Sequence, residues 1–135
     1  MMTPHRSETL PVLQESDLLM VRQRVKLCAI ELGLNSFSQT KIVTAASELG
    51  RNTLIHGGGG TMVLESVAHN DRRGLRLIFE DKGPGIADIK QAMVDGFTTK
   101  GGLGLGLSGS KRLVSEFEIA SRVGEGTRVT VMQWL

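Results

Sequence analysis

Glu48 and Asn52 lie four positions apart in a segment whose apolar residues recur at helical spacing. Side chains at positions i and i+4 share one face of an α-helix, so this carboxylate and this amide point in the same direction. An amide oxygen is an acceptable ligand for Mg²⁺, and a carboxylate one turn away can orient or deprotonate a nucleophile. Alone, such a pair is typical of a solvated helix surface, so its interpretation depends on the other motifs.

Asp81 comes directly after an apolar segment that is typical of a strand, and it begins the sequence Asp81-Lys82-Gly83-Pro84-Gly85. A buried carboxylate at the end of a strand can accept a hydrogen bond from the amino group of adenine. Gly83 and Gly85 carry no side chain, which lets a flat ring lie against the backbone. The same residues also form good tight turns, so this motif alone leaves a structural turn and a base-binding site equally open.

A second glycine-rich run follows Lys100 and leads into a predicted helix. Glycine lets backbone N–H groups approach a ligand, and a helix N-terminus favours anions, so the run indicates a phosphate-binding loop rather than a merely flexible one. Lys100 is either a charge for phosphate or a plain surface lysine. The spacing fits neither the dinucleotide-binding fingerprint nor the P-loop. The residues of the run are Gly101, Gly102, Leu103, Gly104, Leu105 and Gly106.

Composition limits the classes of protein to which the chain can belong. It has 135 residues, a net charge of +2 and one cysteine, Cys28, which is expected to be a small core residue. This length predicts one domain over residues 1–135. A single cysteine, with neither a secretory signal nor a bilayer-spanning segment in the sequence, favours a cytoplasmic protein with no membrane contact. Scattered positive charges and 4% aromatic residues argue against nucleic-acid binding.

Hydrophobic periodicity predicts a mixture of helices and strands. A first helix is predicted over residues 18–32, with Ser16 as its N-cap and Gly33 as its stop, and a second begins with a capping box at Ser36. Two further helices are predicted over residues 86–94 and 105–117. The predicted strands are residues 9–13, 61–68, 75–79, 118–123 and 127–134.

The order of these elements indicates the fold class. Consecutive strands at hairpin spacing predict a mixed, mostly antiparallel sheet. Helices that cover one face of this sheet give a two-layer α+β sandwich rather than a doubly wound fold.

Taken together and in this order, the three motifs resemble those of the GHKL (Bergerat-fold) ATPases. Within that superfamily the chain resembles the small bacterial anti-sigma-factor-type serine/threonine kinases, and most narrowly the switch kinases of the stressosome. The resemblance implies the two-layer Bergerat fold, with ATP and Mg²⁺ as cofactors. The matching segments are Ala46-Ser47-Glu48-Leu49-Gly50-Arg51-Asn52, Glu80-Asp81-Lys82-Gly83-Pro84-Gly85-Ile86, Asp95-Gly96-Phe97, Gly101-Gly102-Leu103-Gly104, Lys111-Arg112-Leu113 and Gly124-Glu125-Gly126-Thr127.

The resemblance also implies roles for individual residues. Asn52 would hold Mg²⁺, and Glu48 would act as the catalytic base on the substrate hydroxyl. Asp81 would bind adenine, with Thr127 supporting it through a water molecule. Arg51 would either assist phosphate binding or pair with an acid. The remaining positions are Gly83, Gly85 and Ile86 in the adenine wall, residues 100–106 around the phosphates, and residues 87–100 as a mobile lid.

The implied substrate is a serine or threonine of a STAS-domain antagonist or scaffold protein. After release, a kinase of this kind would bind a downstream PP2C-type phosphatase or another output enzyme. Three alternatives remain open: an anti-sigma factor that binds sigma directly, the catalytic module of a histidine kinase, and a non-catalytic module that binds nucleotide. The histidine-kinase alternative is weakened because His5, His56 and His69 fall in a tail, at a helix end and in a turn.

Overall fold

The computed structural model describes residues 3–94 and 106–135, with the side chains of residues 3–5 left aside. Five strands and four helices are assigned in these residues. In chain order they are β1 (Thr3–Val12), α1 (Glu15–Leu32), α2 (Ser36–Ile55), β2 (Gly60–His69), β3 (Arg72–Asp81), α3 (Ile89–Ala92), α4 (Gly106–Leu113), β4 (Glu116–Arg122) and β5 (Gly126–Trp134).

The strands form one antiparallel sheet in the order β1-β2-β3-β5-β4. Its central strand, β3, ends at Asp81, which lies between Gly60 of β2 and Thr127 of β5. The turn from β2 to β3 contains only Asn70 and Asp71, both at positive φ (50° and 67°). That geometry follows the right-handed twist of the flanking strands, so the hairpin is tighter than the loop predicted over residues 69–74.

Helices α1 and α2 pack against each other and against one face of the sheet. Apolar side chains from both layers meet in a continuous core, and burying each large one contributes roughly 1.5–3 kcal/mol. Gly50 brings the two helices close together, because a β-carbon there would lie 3.0 Å from Leu18 of α1. The predicted two-layer α+β fold is confirmed. Fully buried members of the core include Val21, Val25, Ile42, Leu49, Leu75, Leu77 and Phe79.

The N-caps of the two long helices lie one or two residues before the predicted ones. Gln14, not Ser16, is the N-cap of α1, because the carboxylate of Asp17 accepts hydrogen bonds from the backbone N–H groups just before the helix. Asn35 caps α2 in place of Ser36, since its Oδ1 accepts a hydrogen bond from the backbone N–H of Ser38 at 2.8 Å. A side chain that reaches the free N–H groups of the first turn decides where a helix begins.

Three other elements also differ in extent from the prediction. Strand β1 begins at Thr3 rather than residue 9, because nearly its whole length pairs with β2. Helix α4 ends at Leu113 instead of residue 117, because Glu116 and Phe117 pair with β5 and the N–H of Ser115 bonds to Met132. The helix predicted over residues 86–94 is reduced to α3 behind its Asp88 cap.

Two further findings concern single residues and membrane contact. Cys28 is buried in the core as predicted, and burial raises the pKa of its thiol against the opposing effect of Arg6. Across residues 3–94 and 106–135, no helix combines the length and the apolar character needed to cross a bilayer.

Candidate active site

A cavity of about 480 Å³ lies between α2 and the ends of β3 and β5. Its volume falls within the range of small-molecule binding sites. Helix α2 contributes Glu48 and Asn52, while the sheet contributes Asp81 and Thr127 from its neighbouring central strands. The structure thus brings together, at one cavity, residues from motifs that are far apart in the sequence.

Asp81 is 9% exposed, and its carboxyl group has well-defined partners. Its Oδ1 accepts hydrogen bonds from the backbone N–H of Gly83 at 2.9 Å and from that of Thr127 at 3.2 Å. The first bond closes the turn after β3, and the second ties the carboxyl group to β5. These two donors hold the carboxyl group at the cavity wall in one orientation.

Gly57, just after α2, lies directly against Asp81. A β-carbon at Gly57 would be 2.3 Å from Cγ of Asp81, far inside van der Waals contact. Gly83 is equally tight, because its β-carbon would lie 2.6 Å from the carbonyl oxygen of Gly57. Gly57 lines the cavity, whereas Gly83 is not among the lining residues and acts through Asp81. The sequence favoured a plain loop for Gly57, so this contact was missed.

Ser121 connects the turn after β3 to the hairpin of β4 and β5. Its hydroxyl accepts from the N–H of Ile86 at 2.8 Å, donates to the carbonyl of Gly126 at 3.1 Å and lies 2.8 Å from Oγ1 of Thr127. A serine hydroxyl has one proton. When that proton goes to Gly126, Thr127 must be the donor to Ser121, which leaves lone pairs on the Thr127 oxygen for a further partner.

The same turn requires a glycine at position 85. Gly85 has φ of 76°, a left-handed conformation that disfavours side chains. A β-carbon there would also lie 2.1 Å from the carbonyl oxygen of Arg122. The N–H of Gly124 then bonds to the carbonyl of Pro84 at 2.8 Å, so the turn is fixed to the hairpin at several points.

Three residues at four-residue spacing line the cavity, two within α2 and one at its C-cap. Glu48 is only 6% exposed, Asn52 is half-buried, and His56 lies one turn further on. The sequence indicated the first two, whereas His56 was interpreted as a helix-end residue without a role in binding. Arg51 points elsewhere: its Nη1 lies 3.9 Å from Oε1 of Glu15, which favours pairing with an acid.

Apolar side chains line the part of the cavity next to Asp81. They suit a flat aromatic ring, since such sites are mostly apolar with a few fixed polar groups. Ile86, predicted in the adenine wall, is one of them. The larger apolar side chains that line the cavity are Leu49, Phe79, Ile86, Leu107 and Val129.

The N-terminus of α4 also meets the cavity, through Gly106 and Leu107. Free N–H groups at a helix N-terminus favour anions, as a phosphate site requires. Lys100, Gly101, Gly102, Leu103, Gly104 and Leu105, which were predicted to wrap the phosphates, lie outside the described residues.

The donor set at this cavity fits a weakly held metal ion. Within residues 3–94 and 106–135 there is no group of three or more His, Cys, Asp and Glu side chains that could hold a metal by itself. Mg²⁺ with a nucleotide needs no such group, because it keeps several waters and takes phosphate oxygens together with one or two protein oxygens. The amide oxygen of Asn52 is suited to that role.

Comparisons with known proteins agree with this geometry. A family model described as histidine kinase-, DNA gyrase B-, and HSP90-like ATPase matches residues 37–135. The chain is 46% identical over 124 residues to the serine/threonine-protein kinase RsbT of Bacillus subtilis (strain 168), which covers 92% of this chain and 93% of RsbT. It is also similar to anti-sigma F factors, with 34% identity to that of Heyndrickxia coagulans, over 68% of this chain and 67% of the relative.

The anti-sigma F factor of Clostridium novyi (strain NT) is 31% identical over 71% of each chain. Among solved structures, the RsbU and RsbW domains of a Mycobacterium tuberculosis protein match 97% of this chain with a TM-score of 0.62 and 22% identity. The match spans 33% of that longer chain, and it shows a shared fold. The resemblance of the motifs to the GHKL ATPases and to the small anti-sigma-factor-type serine/threonine kinases is confirmed, and the likeness to RsbT agrees with it. The chain belongs to the family of histidine kinase-, DNA gyrase B- and HSP90-like ATPases, and within it to the anti-sigma-factor-type serine/threonine kinases.

Proposed function

We propose that this protein transfers the γ-phosphoryl group of ATP to a serine or threonine hydroxyl of a STAS-domain protein. The observation that carries the proposal is the convergence of two walls on one cavity. Glu48 and Asn52 face it from α2, and Asp81 faces it from the end of β3. A single ligand in this cavity could therefore meet Asp81 as an acceptor for adenine, Asn52 as a metal ligand and Glu48 as a proton acceptor.

The residues around Asp81 would bind the base. The fixed carboxyl group accepts from the amino group of adenine, and Thr127 supports it through a water molecule. Ile86 and the main chain at Gly85 would form the wall beside the ring, and Gly83 would act indirectly by holding Asp81. Gly106 and the preceding residues 100–105 would bind the phosphates.

Asn52 and Glu48 would serve the transfer itself. Mg²⁺ held by Asn52 would neutralise charge on the phosphates. Glu48 takes up the proton of the substrate hydroxyl, so that its oxygen can bond to the γ-phosphorus while ADP departs with the electrons of the broken bond. Catalysis of phosphoryl transfer depends mainly on positioning the reactants and stabilising charge. Glu48 and Asn52, one turn apart on the same helix, can provide both.

The partners are proposed from the likeness to RsbT, which covers most of both chains. In this proposal the protein acts in the cytoplasm, phosphorylates a STAS-domain antagonist or scaffold of a stressosome-type module, and is thereby released. The released kinase then binds and activates an output protein such as a PP2C-type phosphatase.

A second candidate function is direct binding of a sigma factor. The likeness to anti-sigma F factors, at 31–34% identity, favours it. Pull-down from lysate separates it from the proposed function, because the captured partner is then a sigma factor rather than a STAS-domain protein. A non-catalytic module that binds nucleotide as a structural ligand is the third possibility, and it would yield no phosphorylated protein.

The deciding experiment incubates the purified protein with a STAS-domain protein and ATP labelled at the γ-phosphate. We expect label on a serine or threonine of the STAS protein. Asn52→Ala should lower turnover about 100- to 1000-fold, because it removes one preorganised electrostatic contact. Glu48→Gln should still bind ATP but lose phosphoryl transfer.

Thr40→Ala is the matched control on the same helix, since its hydroxyl bonds only to the backbone of Ser36 and its side chain is exposed. It should phosphorylate as the wild type does. Unlabelled STAS protein, with ATP bound at the cavity, would contradict the proposed kinase activity and leave the sigma-binding and non-catalytic alternatives. Wild-type turnover by Asn52→Ala would contradict the assignment of Asn52.

A further inference from the structure

Helix α1 is apolar on two faces rather than one. The first face packs into the core. The second carries large apolar side chains that are exposed, by 52% at Leu19, 47% at Met20, 42% at Leu27 and 50% at Ile30. At about 100° per residue, this second face lies on the side of the helix opposite the core.

The exposed residues follow the spacing of a helix–helix seam. Met20, Gln23, Leu27 and Ile30 are separated by three, four and three residues, which is the a/d pattern of a heptad repeat. Leu19 lies beside the seam. We name these five residues the outer stripe. Such a pattern presents knobs and holes to one partner helix, whereas scattered exposed apolar residues on a surface do not.

The acids of α1 already have partners elsewhere. Asp17 accepts from the backbone N–H groups that precede the helix. Glu31 pairs with Arg6, with Nη1 and Oε2 at 2.6 Å, and Glu15 lies 3.9 Å from Arg51. These carboxylates are therefore not available to balance positive charge along the outer stripe.

Two cations flank the outer stripe on one side. Arg22 and Lys26 are one turn apart, and neither forms an ion pair with any residue in the part of the chain that the structure describes. Arg24, by contrast, is held by Glu8 of β1. The flank is thus positive, and a partner that lies along the stripe gains by placing carboxylates beside it.

We propose that the outer stripe binds an amphipathic α-helix of another protein, with apolar residues at heptad spacing and acidic residues along its flank. A second copy of this chain fits less well, because it would bring the same positive flank to the interface. The site is separate from the nucleotide cavity, to which α1 contributes no lining residue. It goes beyond the proposed kinase activity and does not depend on it.

The test uses a synthetic helical peptide with leucine at heptad positions a and d and glutamate at e and g. Its twin carries lysine at e and g. Fluorescence anisotropy should show binding of the glutamate peptide to the wild type and much weaker binding of the twin. Leu27→Gln should weaken binding of the glutamate peptide by about tenfold or more, since burying a leucine is worth about 1.5–3 kcal/mol. Lys26→Glu should weaken it by a similar factor, because it places a carboxylate beside the glutamates of the peptide.

Val63→Gln is the matched control. Its neighbours Met62 and Leu64 are buried under the helices, so Val63 lies on the uncovered face of the sheet, away from α1. This variant should bind the glutamate peptide as the wild type does, and unchanged thermal melting of all variants shows that they are folded. The proposal is overturned by equal binding of both peptides, by no binding, or by wild-type binding in Leu27→Gln. Self-association of the wild type in sedimentation, lost in Leu27→Gln, would instead assign the stripe to a second copy.

Discussion

At the scale of single residues, main-chain groups fix the carboxyl group of Asp81 from two sides. Oδ1 accepts from the N–H groups of Gly83 and Thr127, and the backbone of Gly57 lies against the same group. A group held in this way loses little freedom when a ligand binds, which lowers the entropic cost of binding. The proposed acceptor for the base is therefore oriented before nucleotide arrives.

We expect Asp81→Asn to weaken ATP binding by about 10- to 100-fold. The substitution replaces a carboxylate by an amide, and a hydrogen bond to a charged group is worth about 1.5–3 kcal/mol. Calorimetric titration with ATP measures the change. Glu80→Gln, one residue earlier and exposed, is the control and should keep wild-type affinity. Unchanged affinity in Asp81→Asn would remove Asp81 from the base-binding site.

Gly57→Ala should disturb the same site by overpacking. The new methyl group meets Cγ of Asp81 at 2.3 Å, and relief of such a clash typically costs about 1–3 kcal/mol. We expect a lower melting temperature together with weaker ATP binding. Gly58→Asn is the control, because the space around Gly58 is open and asparagine tolerates its φ of 74°. The contact is unimportant if both variants bind ATP equally well.

The sequence indicated Glu48, Asn52, Asp81 and Thr127, and the structure brings all four to one cavity. Local patterns indicate the first three, because each pairs a polar group with a helix turn or the end of a strand, whereas Thr127 is implied by the resemblance alone. Ser121 gave no such signal. It acts through Ile86, 35 residues earlier in the chain, and a contact over that separation is set by the sheet and not by local spacing.

At the scale of elements, the hairpin of β4 and β5 supports the turn after β3. Ser121 and Gly124 each bond to that turn, and Gly126 packs so closely that its β-carbon would lie 2.1 Å from the carbonyl oxygen of Asp81. The cavity wall next to Asp81 is therefore held in place by the sheet.

Ser121→Ala should loosen this wall. The variant leaves the N–H of Ile86 without its acceptor, and loss of such a bond costs about 1–3 kcal/mol where the group stays buried. We expect a lower free energy of unfolding in urea and weaker ATP binding. Ser47→Ala is the control, because the Ser47 hydroxyl bonds only within its own helix. Wild-type ATP affinity in Ser121→Ala would show that the turn holds its shape without the serine.

The elements themselves were largely predictable from the periodicity of apolar residues. Helices α1 and α2 and strands β2, β3 and β5 occur where that periodicity placed them. The errors fall at ends and edges. Helix α4 was predicted to extend to residue 117 because its local sequence pattern stays helical. In the structure Phe117 instead pairs with Val131 of β5.

At the scale of the whole molecule, ion pairs connect the edge strand β1 to α1. Both oxygens of Glu8 accept from Arg24 at 2.8 Å. This hydrogen bond, together with the positive charge of Arg24, lowers the pKa of Glu8. The two layers are thus joined at this edge by charge as well as by the apolar core.

A lowered pKa in the folded state gives the stability a defined dependence on pH. The stabilisation is present above the pKa of glutamate in the unfolded chain, and it is lost as the pH falls through the lower pKa of the folded state. We expect the difference in unfolding free energy between the wild type and Glu8→Gln to be largest near neutral pH and to vanish in acid. Urea denaturation over a pH series measures it. A difference that stays constant across the pH series would contradict this role of the ion pair.

Main chain forms much of the enclosure around Asp81, and this restricts how the pocket can be redesigned. Carbonyls and N–H groups at positions 57, 83 and 85 cannot be shortened by mutation. If the cavity is the proposed base-binding site, an engineered allele that accepts an enlarged purine analogue must instead gain its space where side chains form the boundary, at Leu49, Ile86 or Val129. Replacing one of these residues with alanine would give a variant of the enzyme that such an analogue binds selectively inside a cell, because the unmodified relatives would lack the space for it.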